Sequence, residues 1–316
     1  MMDVSITTRR FVKRLGILVG FGLGLSSLWA FEQPPLNMSA TTFLDGGAPR
    51  GFYYLNYSIF VNGKEPLDAN GNVMPGGAHV NVLTQLSQFY YHSSLRFLGA
   101  DAGFMVAVPL VAMTSRGTMP IGPNGAPVPL VSDTAGLGDL VVAPALHWDG
   151  KSLLGRPVFY RVEFDVTLPT GRYQKDGAID TGSNLTTYDP YFSVVWMFDP
   201  KWETSWRFFY TVHSANHNSP KGTVEPGRAF HLNYAVSREL IPKWRLGVAG
   251  YYLQQLTEDR IDGVQQADSE ERVASAGPGF AYMGNGLTAM FSYPIEFSVE
   301  NRFKGSRATL QLIHKF

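Results

Sequence analysis

The sequence predicts an all-β protein: a transmembrane antiparallel β-barrel of about 12 strands, with short periplasmic turns and longer external loops. Apolar and polar residues alternate with a period of two in many segments, which is the pattern of a strand with two different faces. Charged residues make up 16% of the chain, whereas a soluble domain typically carries about 25%. This deficit indicates either a large core or a surface that faces lipid, and the connections between strands favour the lipid-facing surface.

Residues 1–30 have the layout of a cleavable export signal. Four basic residues within 9–14 precede an uncharged apolar run at 15–28, and the small residue Ala30 stands where a signal peptidase would cut. The run is shorter than the roughly 20 residues that a membrane-spanning helix needs, which disfavours the alternative of an uncleaved anchor. We therefore expect a signal peptide at 1–30 and a single outer-membrane barrel domain at 31–316.

Two segments show the alternation most clearly. In the first, Tyr160, Val162, Phe164, Val166 and Leu168 alternate with Arg161, Glu163, Asp165 and Thr167. In the second, Ala289, Phe291, Tyr293, Ile295, Phe297 and Val299 alternate with Thr288, Met290, Ser292, Pro294, Glu296, Ser298 and Glu300. In a barrel the apolar set of each segment would face lipid and the polar set would face the lumen.

The spacing of the strands distinguishes a barrel from a β-sandwich, which alternation alone cannot do. The predicted strands lie near residues 50–62, 79–93, 95–114, 138–149, 155–169, 187–199, 201–214, 227–239, 242–256, 272–284, 286–299 and 303–316. Tight connections at 92–95, 149–155, 199–201, 240–243 and 284–286 alternate with longer polar loops, apart from the last connection. This asymmetry is typical of outer-membrane barrels, whose chain ends both lie on the periplasmic side.

The last strand ends in an aromatic residue. Ala308, Leu310, Leu312, His314 and Phe316 share one face, and Phe316 is the final residue. A terminal aromatic strand is similar to the signal that the barrel-assembly machinery recognises, so we expect Phe316 to act as an assembly signal. The other expected partners are outer-membrane lipid, lipopolysaccharide and a small-molecule solute.

The alternation also selects candidate lumen residues. The charged and polar candidates are Arg161, Glu163, Asp165, Glu203, Arg207, His231, Asn233, Arg245, Glu296, Glu300 and Arg307. Their mixed signs predict no strong ion selectivity. Tyr191, Phe209 and Tyr251 point inward by the same pattern, either as an aromatic track or, the interpretation we favour, as filling for a narrow barrel.

Motifs for catalysis, cofactors and metals give no support to an enzyme. The chain has no Cys, and it has no nucleophile elbow, His-Glu-x-x-His motif or phosphate-binding loop. His213 and His217 lie four apart at a strand end, where two solvated histidines are a simpler interpretation than a metal site. The formal net charge of +0 gives no basic excess for nucleic acid. We expect no catalytic residues, no cofactor and no metal.

Three short motifs carry a resemblance to a known family. They are Gly136-Leu137-Gly138-Asp139-Leu140, Leu168-Pro169-Thr170-Gly171-Arg172-Tyr173 and Thr181-Gly182-Ser183-Asn184. Together they resemble the outer-membrane protein family associated with the meta pathway of phenol degradation, whose members are often called transporters. The resemblance extends from Gly51 to Phe316. It implies a barrel linked to the breakdown of aromatic compounds, without implying particular ligand residues.

The leading hypothesis is an outer-membrane channel for passive uptake of small hydrophobic or aromatic compounds. The alternatives are a structural or adhesive barrel without transport and, least favoured, an outer-membrane enzyme. A barrel would serve uptake because hydrophobic molecules cross a lipopolysaccharide leaflet poorly.

Overall fold

The computed structural model describes residues 33–40, 43–45, 49–121, 125–175 and 179–316. The predicted signal peptide and its cleavage after Ala30 fall outside these residues. In the described ranges, no helix has the length and apolar character needed to cross a membrane.

The described chain is built from β-strands. The wall strands are β1 (Gly51–Pro66), β2 (His79–Phe97), β3 (Ala100–Arg116), β4 in two parts (Ser132–Leu137 and Leu140–Leu153), β5 (Arg156–Leu168), β6 (Thr187–Trp196), β7 (Trp202–His213), β8 (Ala229–Ile241), β9 (Trp244–Gln255), β10 (Arg272–Met283), β11 in two parts (Leu287–Ser292 and Ile295–Glu300) and β12 (Phe303–Lys315).

These strands form a closed antiparallel barrel. Each pairs with the next in the chain, and β12 pairs with β1 from Tyr53↔Lys315 to Pro66↔Phe303. Closure leaves no free edge in the wall, which matters in hydrocarbon because no water is there to pair with backbone groups. The predicted twelve-strand barrel is confirmed.

The two ends of the barrel differ. Tight turns such as Leu154-Gly155 and Pro242-Lys243 gather at one end, together with the start of β1 and the terminal Phe316. We call this the short-turn end. The long-loop end carries the connections at 117–131, 169–186, 214–228 and 256–271, parts of which form small sheets of their own.

One predicted turn is displaced. The connection expected at 92–95 lies at Leu98-Gly99, because β2 and β3 continue to pair as far as Phe97↔Ala100 after an irregularity between His92 and Arg96. Both Leu98 and Gly99 have positive φ, at 50° and 75°. The extended pairing therefore moves the hairpin turn a few residues along the chain.

The two faces of the wall differ as the alternation predicts. On β5, the Phe164 ring is 43% exposed while the adjacent Glu163 is 3% exposed. Large exposed aromatic rings mark the short-turn end of the outer face, among them Phe52, Tyr91, Trp202, Trp244 and Phe316. An apolar outer band with aromatic girdles is what a lipid environment selects.

A bulge in β11 reverses the predicted faces near its end. Ser298 has a positive φ of 52°, and Val299 beyond it is buried beside Tyr251 instead of facing outward. Glu300 consequently pairs with Arg272, a residue on the outward side of β10, since the adjacent Val273 is fully buried. The prediction that Glu300 lines the lumen is therefore wrong.

A substitution at Phe164 tests the outer face. Phe164→Arg would place a guanidinium in the middle of the apolar band, so we expect the free energy of unfolding to fall by about 2–4 kcal/mol. The measurement is reversible unfolding in lipid bilayers, with Phe164→Leu as the matched apolar control. Equal stability of the two variants would mean that this face is in water.

Candidate functional site

One side of the lumen is polar. It is formed by inward side chains of β5 to β9, including Arg161, Glu163, Asp165, Asp189, Glu203, Arg207, His231, Asn233 and Arg245, all of which are buried. We call this side the polar wall. Buried charges require partners, because an isolated charge away from water is strongly disfavoured.

The described residues that precede β1 lie inside the barrel, against the polar wall. At the long-loop end, Gln33 donates through Nε2 to Gly227 O at 2.6 Å and accepts at Oε1 from His213 Nε2 at 3.0 Å. At the short-turn end, Arg50 donates to both carboxylate oxygens of Asp101, at 2.6 and 2.8 Å. We call the described residues 33–40 and 43–45 the inner segment. It follows the lumen from one end towards the other.

Asp45 ties the inner segment to the polar wall. Its carboxylate accepts two hydrogen bonds from the Arg207 guanidinium, and Arg161 Nη2 lies 3.7 Å from the same carboxylate. Both guanidinium groups lie over the Tyr191 ring, 5.3 Å from its centroid for Arg161 and 4.9 Å for Arg207. Ser193 Oγ adds a hydrogen bond to Asp45 O at 3.2 Å. A bidentate pair of this kind is strong when it is shielded from water.

Side chains of the barrel wall hold the middle of the inner segment by hydrogen bonds to its backbone. Asn233 donates through Nδ2 to Asn37 O at 2.7 Å and accepts at Oδ1 from Ser39 N at 3.2 Å. Arg307 Nη1 donates to Met38 O at 3.1 Å. Because this stretch forms no strand, these side chains satisfy backbone groups that would otherwise be buried without partners.

Apolar side chains of the inner segment pack into two clusters. Leu36 and Met38 join Tyr251, Leu253 and other residues near the long-loop end. Phe43 is 1% exposed and packs against small residues on β8 to β10, Ala235, Ala249 and Ala281. The alanines leave room for the ring, so the wall is shaped to hold the segment.

The opposite side of the lumen is apolar. Most of its inward residues on β1 to β4 are apolar, namely Leu55, Ile59, Val61, Val82, Leu86, Met105, Ala107, Pro109, Val111, Met113 and Val141. Thr84, Gln88 and the tyrosines Tyr53, Tyr57 and Tyr90 lie among them. We call this side the apolar wall. A cavity of about 1010 Å³ lies between the apolar wall and the inner segment. It is lined by residues from both ends of the barrel, including Lys221 at the long-loop end and Lys315 at the short-turn end.

Several predicted lumen residues stabilise one another and the inner segment. Glu203 accepts from Ser205 Oγ at 2.7 Å and from Ser237, and Arg245 Nε donates to Ser237 Oγ at 2.9 Å. These groups form a hydrogen-bonded network near the short-turn end, so they serve to hold the wall together.

The other predicted residues are similarly engaged. His231 Nε2 lies 3.1 Å from Asp189 Oδ2, and its ring stacks on Phe209 with centroids 4.1 Å apart. Glu296 accepts from the Tyr251 hydroxyl at 2.6 Å and from Gly305 N at 2.8 Å. Phe209 and Tyr251 are buried within the polar wall, whereas Tyr191, which is also buried, lines the cavity.

Arg302 lies between β11 and β12, at the long-loop end of the cavity. Its Nη1 donates to Glu271 Oε2 at 3.0 Å. Burial alone would disfavour its charge, but the carboxylates of Glu271 and Glu296 hold its pKa above the ordinary value of arginine. Arg302 therefore remains a cation at the long-loop end of the cavity.

The three motifs that carry the family resemblance meet at one point of the long-loop end. Asp139 accepts from Gly171 N at 2.8 Å and from the backbone N and Oγ of Ser183, at 2.7 and 2.6 Å. A Cβ added at Gly171 would lie 2.8 Å from both Gly138 C and Gly182 Cα. These glycines allow the backbones to pack directly, so the motifs fasten the β5–β6 loop to β4.

Sequence reasoning missed the inner segment and Asp45. Nothing in the spacing of residues 33–45 distinguishes a lumen segment from a loop, since the segment has neither strand alternation nor a helical period. The apolar wall could have been found from the inward-facing sets of β1 to β3. Leu55, Ile59 and Val61, which line the cavity, alternate with polar Asn56, Ser58 and Asn62. On β5 the opposite holds, because its polar residues face the lumen.

Removing the carboxylate charge of Asp45 should release the inner segment. In Asp45→Asn, the buried Arg207 loses its anionic partner, and loss of one member of a buried pair costs about 3–5 kcal/mol. We expect a higher single-channel conductance in planar bilayers, because a detached segment no longer narrows the lumen.

The control is Asp133→Asn, which removes an exposed ion pair with Arg116 at the long-loop end. We expect it to leave the conductance unchanged. Identical conductance for Asp45→Asn and the wild-type protein would contradict the role given to Asp45.

The barrel is similar to solved outer-membrane proteins. The crystal structure of the COG4313 outer membrane channel from Pseudomonas putida F1 superposes with a TM-score of 0.73 at 17% identity, covering 86% of this chain and 97% of that one. The β domain of the Bordetella autotransporter BrkA gives a TM-score of 0.45 at 11% identity, covering 85% and 100%. A mutant of the TodX monoaromatic hydrocarbon channel gives 0.42 at 10% identity, covering 85% and 91%.

The first of these likenesses shows a shared fold, and the other two are too distant to add to it. A comparison of the sequence with curated proteins finds no match. Residues 63–312 match the family described as "Putative MetA-pathway of phenol degradation". The match confirms the resemblance carried by the three motifs, and the chain belongs to this family.

Proposed function

We propose that the protein is a passive outer-membrane channel for small hydrophobic or aromatic compounds. The observation that carries this proposal is the cavity of about 1010 Å³ between the apolar wall and the inner segment. Ligand sites of this size accommodate small organic molecules.

The division of the lumen explains a preference for hydrophobic solutes. Several charged side chains of the polar wall bind one another or the inner segment, while Arg161, Glu163, Asp165 and Arg207 also line the cavity opposite the apolar wall. A hydrophobic solute beside Leu55, Leu86 and Met105 loses contact with water without separating a polar group from its partner. An ion beside the same three side chains would lose hydration without gaining a partner there.

The comparisons agree with this proposal. The family description links its members to phenol degradation, which involves an aromatic substrate. The P. putida F1 protein of the same fold is described as an outer membrane channel. We extend that location to this chain, whose exposed apolar bands and aromatic rings suit a bilayer.

We propose a channel rather than an enzyme because many acidic side chains of the lumen have structural partners, although Glu163 Oε2 and Asp165 Oδ1 accept no hydrogen bond from the described residues. Asp45, Glu203, Asp189 and Glu296 each accept hydrogen bonds from neighbouring side chains that hold the segment or the wall. Such groups serve packing, whereas a catalytic acid or base must be able to reach a substrate.

The proposed assembly signal lies at the short-turn end. Phe316 N donates to Phe52 O at 3.0 Å, and the Phe316 ring is 71% exposed. An exposed terminal ring is accessible to the barrel-assembly machinery, which we propose as a partner together with lipopolysaccharide and outer-membrane lipid.

A polar group on the apolar wall should slow the passage of hydrophobic solutes. In Leu86→Gln, the new amide would bind water in the cavity, and a solute that displaces this water leaves a polar group unpaired at a cost of about 1–3 kcal/mol. We expect uptake of a labelled aromatic hydrocarbon by intact cells to fall by roughly tenfold.

Leu86→Met is the matched control, because it keeps the apolar character and nearly the volume of the side chain. Equal uptake by cells with Leu86→Gln, Leu86→Met and wild-type protein would contradict passage along the apolar wall. Equal uptake by cells that lack the protein would contradict the channel function, leaving a structural or adhesive barrel.

A further inference from the structure

The outer face of β1 and β2 carries a group of polar side chains. Asn56 lies opposite Ser87, and Ser58 lies opposite Gln85. Their neighbours along the strands, Leu55, Tyr57 and Leu86, line the lumen, so these four point away from it. Gln85 is exposed and the other three are half-buried. We call Asn56, Ser58, Gln85 and Ser87 the polar island.

The polar island lies near mid-depth in the outer apolar band. The pair Phe52↔Tyr91 lies towards the short-turn end and the pair Phe60↔Leu83 towards the long-loop end. Phe52 and Phe60 are eight positions apart, which at about 3.3 Å per residue and a tilt of about 45° is a height of roughly 19 Å. This height is most of the roughly 25 Å apolar band of a membrane barrel.

Apolar side chains surround the island on its other sides. Leu310 and Leu312 of β12 lie opposite Ser58 and Asn56. Val108 and Leu110 of β3 lie opposite Ser87 and Gln85. The polar groups are therefore enclosed by an apolar rim.

The polar island satisfies part of its own hydrogen bonding. Ser58 Oγ donates to Gln85 Oε1 at 2.7 Å, and the Tyr54 hydroxyl lies 3.0 Å from Ser87 Oγ. Asn56 Nδ2 donates to the Tyr54 hydroxyl at 3.4 Å. Among the described residues, Gln85 Nε2 and Asn56 Oδ1 make no hydrogen bond. One amide donor and one amide acceptor are thus left over in a region where lipid tails offer no partner.

The chemistry of the island matches a second copy of itself. Its members are neutral, and the leftover donor and acceptor would be complementary when two identical faces meet about a two-fold axis. Lipid tails cannot hydrogen-bond, and headgroups do not reach mid-membrane. The apolar rim would exclude lipid from around the polar contact, as the rim of a protein interface excludes water.

We propose that the outer face of β1 and β2 is the contact surface between two copies of this chain in the membrane. In this contact, the spare amide donor of each copy meets the spare amide acceptor of the other. The inference rests on the proposed location in the outer membrane. The cavities stay separate, because the apolar wall lies on the lumen side of the same two strands.

Single cysteines test the contact directly, since the chain has no Cys of its own. Ser58→Cys and Ser87→Cys place a thiol within the island, and Val248→Cys places one on the exposed outer face of β9 as the control. Outer membranes from cells with each variant are oxidised with copper phenanthroline. We expect a reducible species of twice the monomer mass for Ser58→Cys or Ser87→Cys, but not for Val248→Cys.

A second variant distinguishes the contact from random collision. Asn56→Leu with Gln85→Leu, added to the cysteine variants, should lower the cross-linked fraction several-fold while the heat-modifiable folded form is retained. Folding should persist because leucine suits a lipid-facing position.

Three results would overturn the proposed contact. They are no cross-link in folded, membrane-inserted protein, equal cross-linking of the Val248→Cys control, or cross-links to proteins of another mass. Absence of the folded protein from the outer membrane would instead overturn the proposed location, and with it the channel.

Discussion

The ion pair between Asp45 and Arg207 holds the inner segment inside the lumen. Arg207 and Arg161 are buried next to each other over the Tyr191 ring, and their charges need an anion close by. Asp45 supplies it from a part of the chain outside the wall. Satisfying these cations therefore keeps the inner segment inside the barrel, where it covers part of the polar wall and leaves the space beside the apolar wall open.

The strands divide into two groups with opposite patterns. On β5 to β9, charged and polar side chains face the lumen and apolar side chains face outward, as in an ordinary membrane barrel. On β1 and β2, apolar residues such as Leu55 and Leu86 face the lumen, while the polar island faces outward. The proposed passage of hydrophobic solutes accounts for the apolar inner side of β1 and β2, since such a solute needs an apolar surface along its path.

The sequence is sufficient to predict the strands of the barrel wall but not the inner segment that lies inside them. Alternation in segments such as 160–168 depends on a local rule of side-chain direction, so strand positions and faces follow from it. It fails where one residue breaks the period, as Ser298 does before Val299 and Glu300. The inner segment depends on contacts between residues far apart in sequence, such as Asp45 with Arg207, and no local pattern predicts those.

The division of the lumen can be observed directly by diffraction. Crystals soaked with bromobenzene would report, through the anomalous signal of bromine, where a small aromatic molecule binds. We predict a bromine peak inside the barrel, between Leu86 on the apolar wall and Met38 or Phe43 on the inner segment. Bromine found on the outer surface alone, with the lumen empty at saturating bromobenzene, would contradict an apolar passage through the barrel.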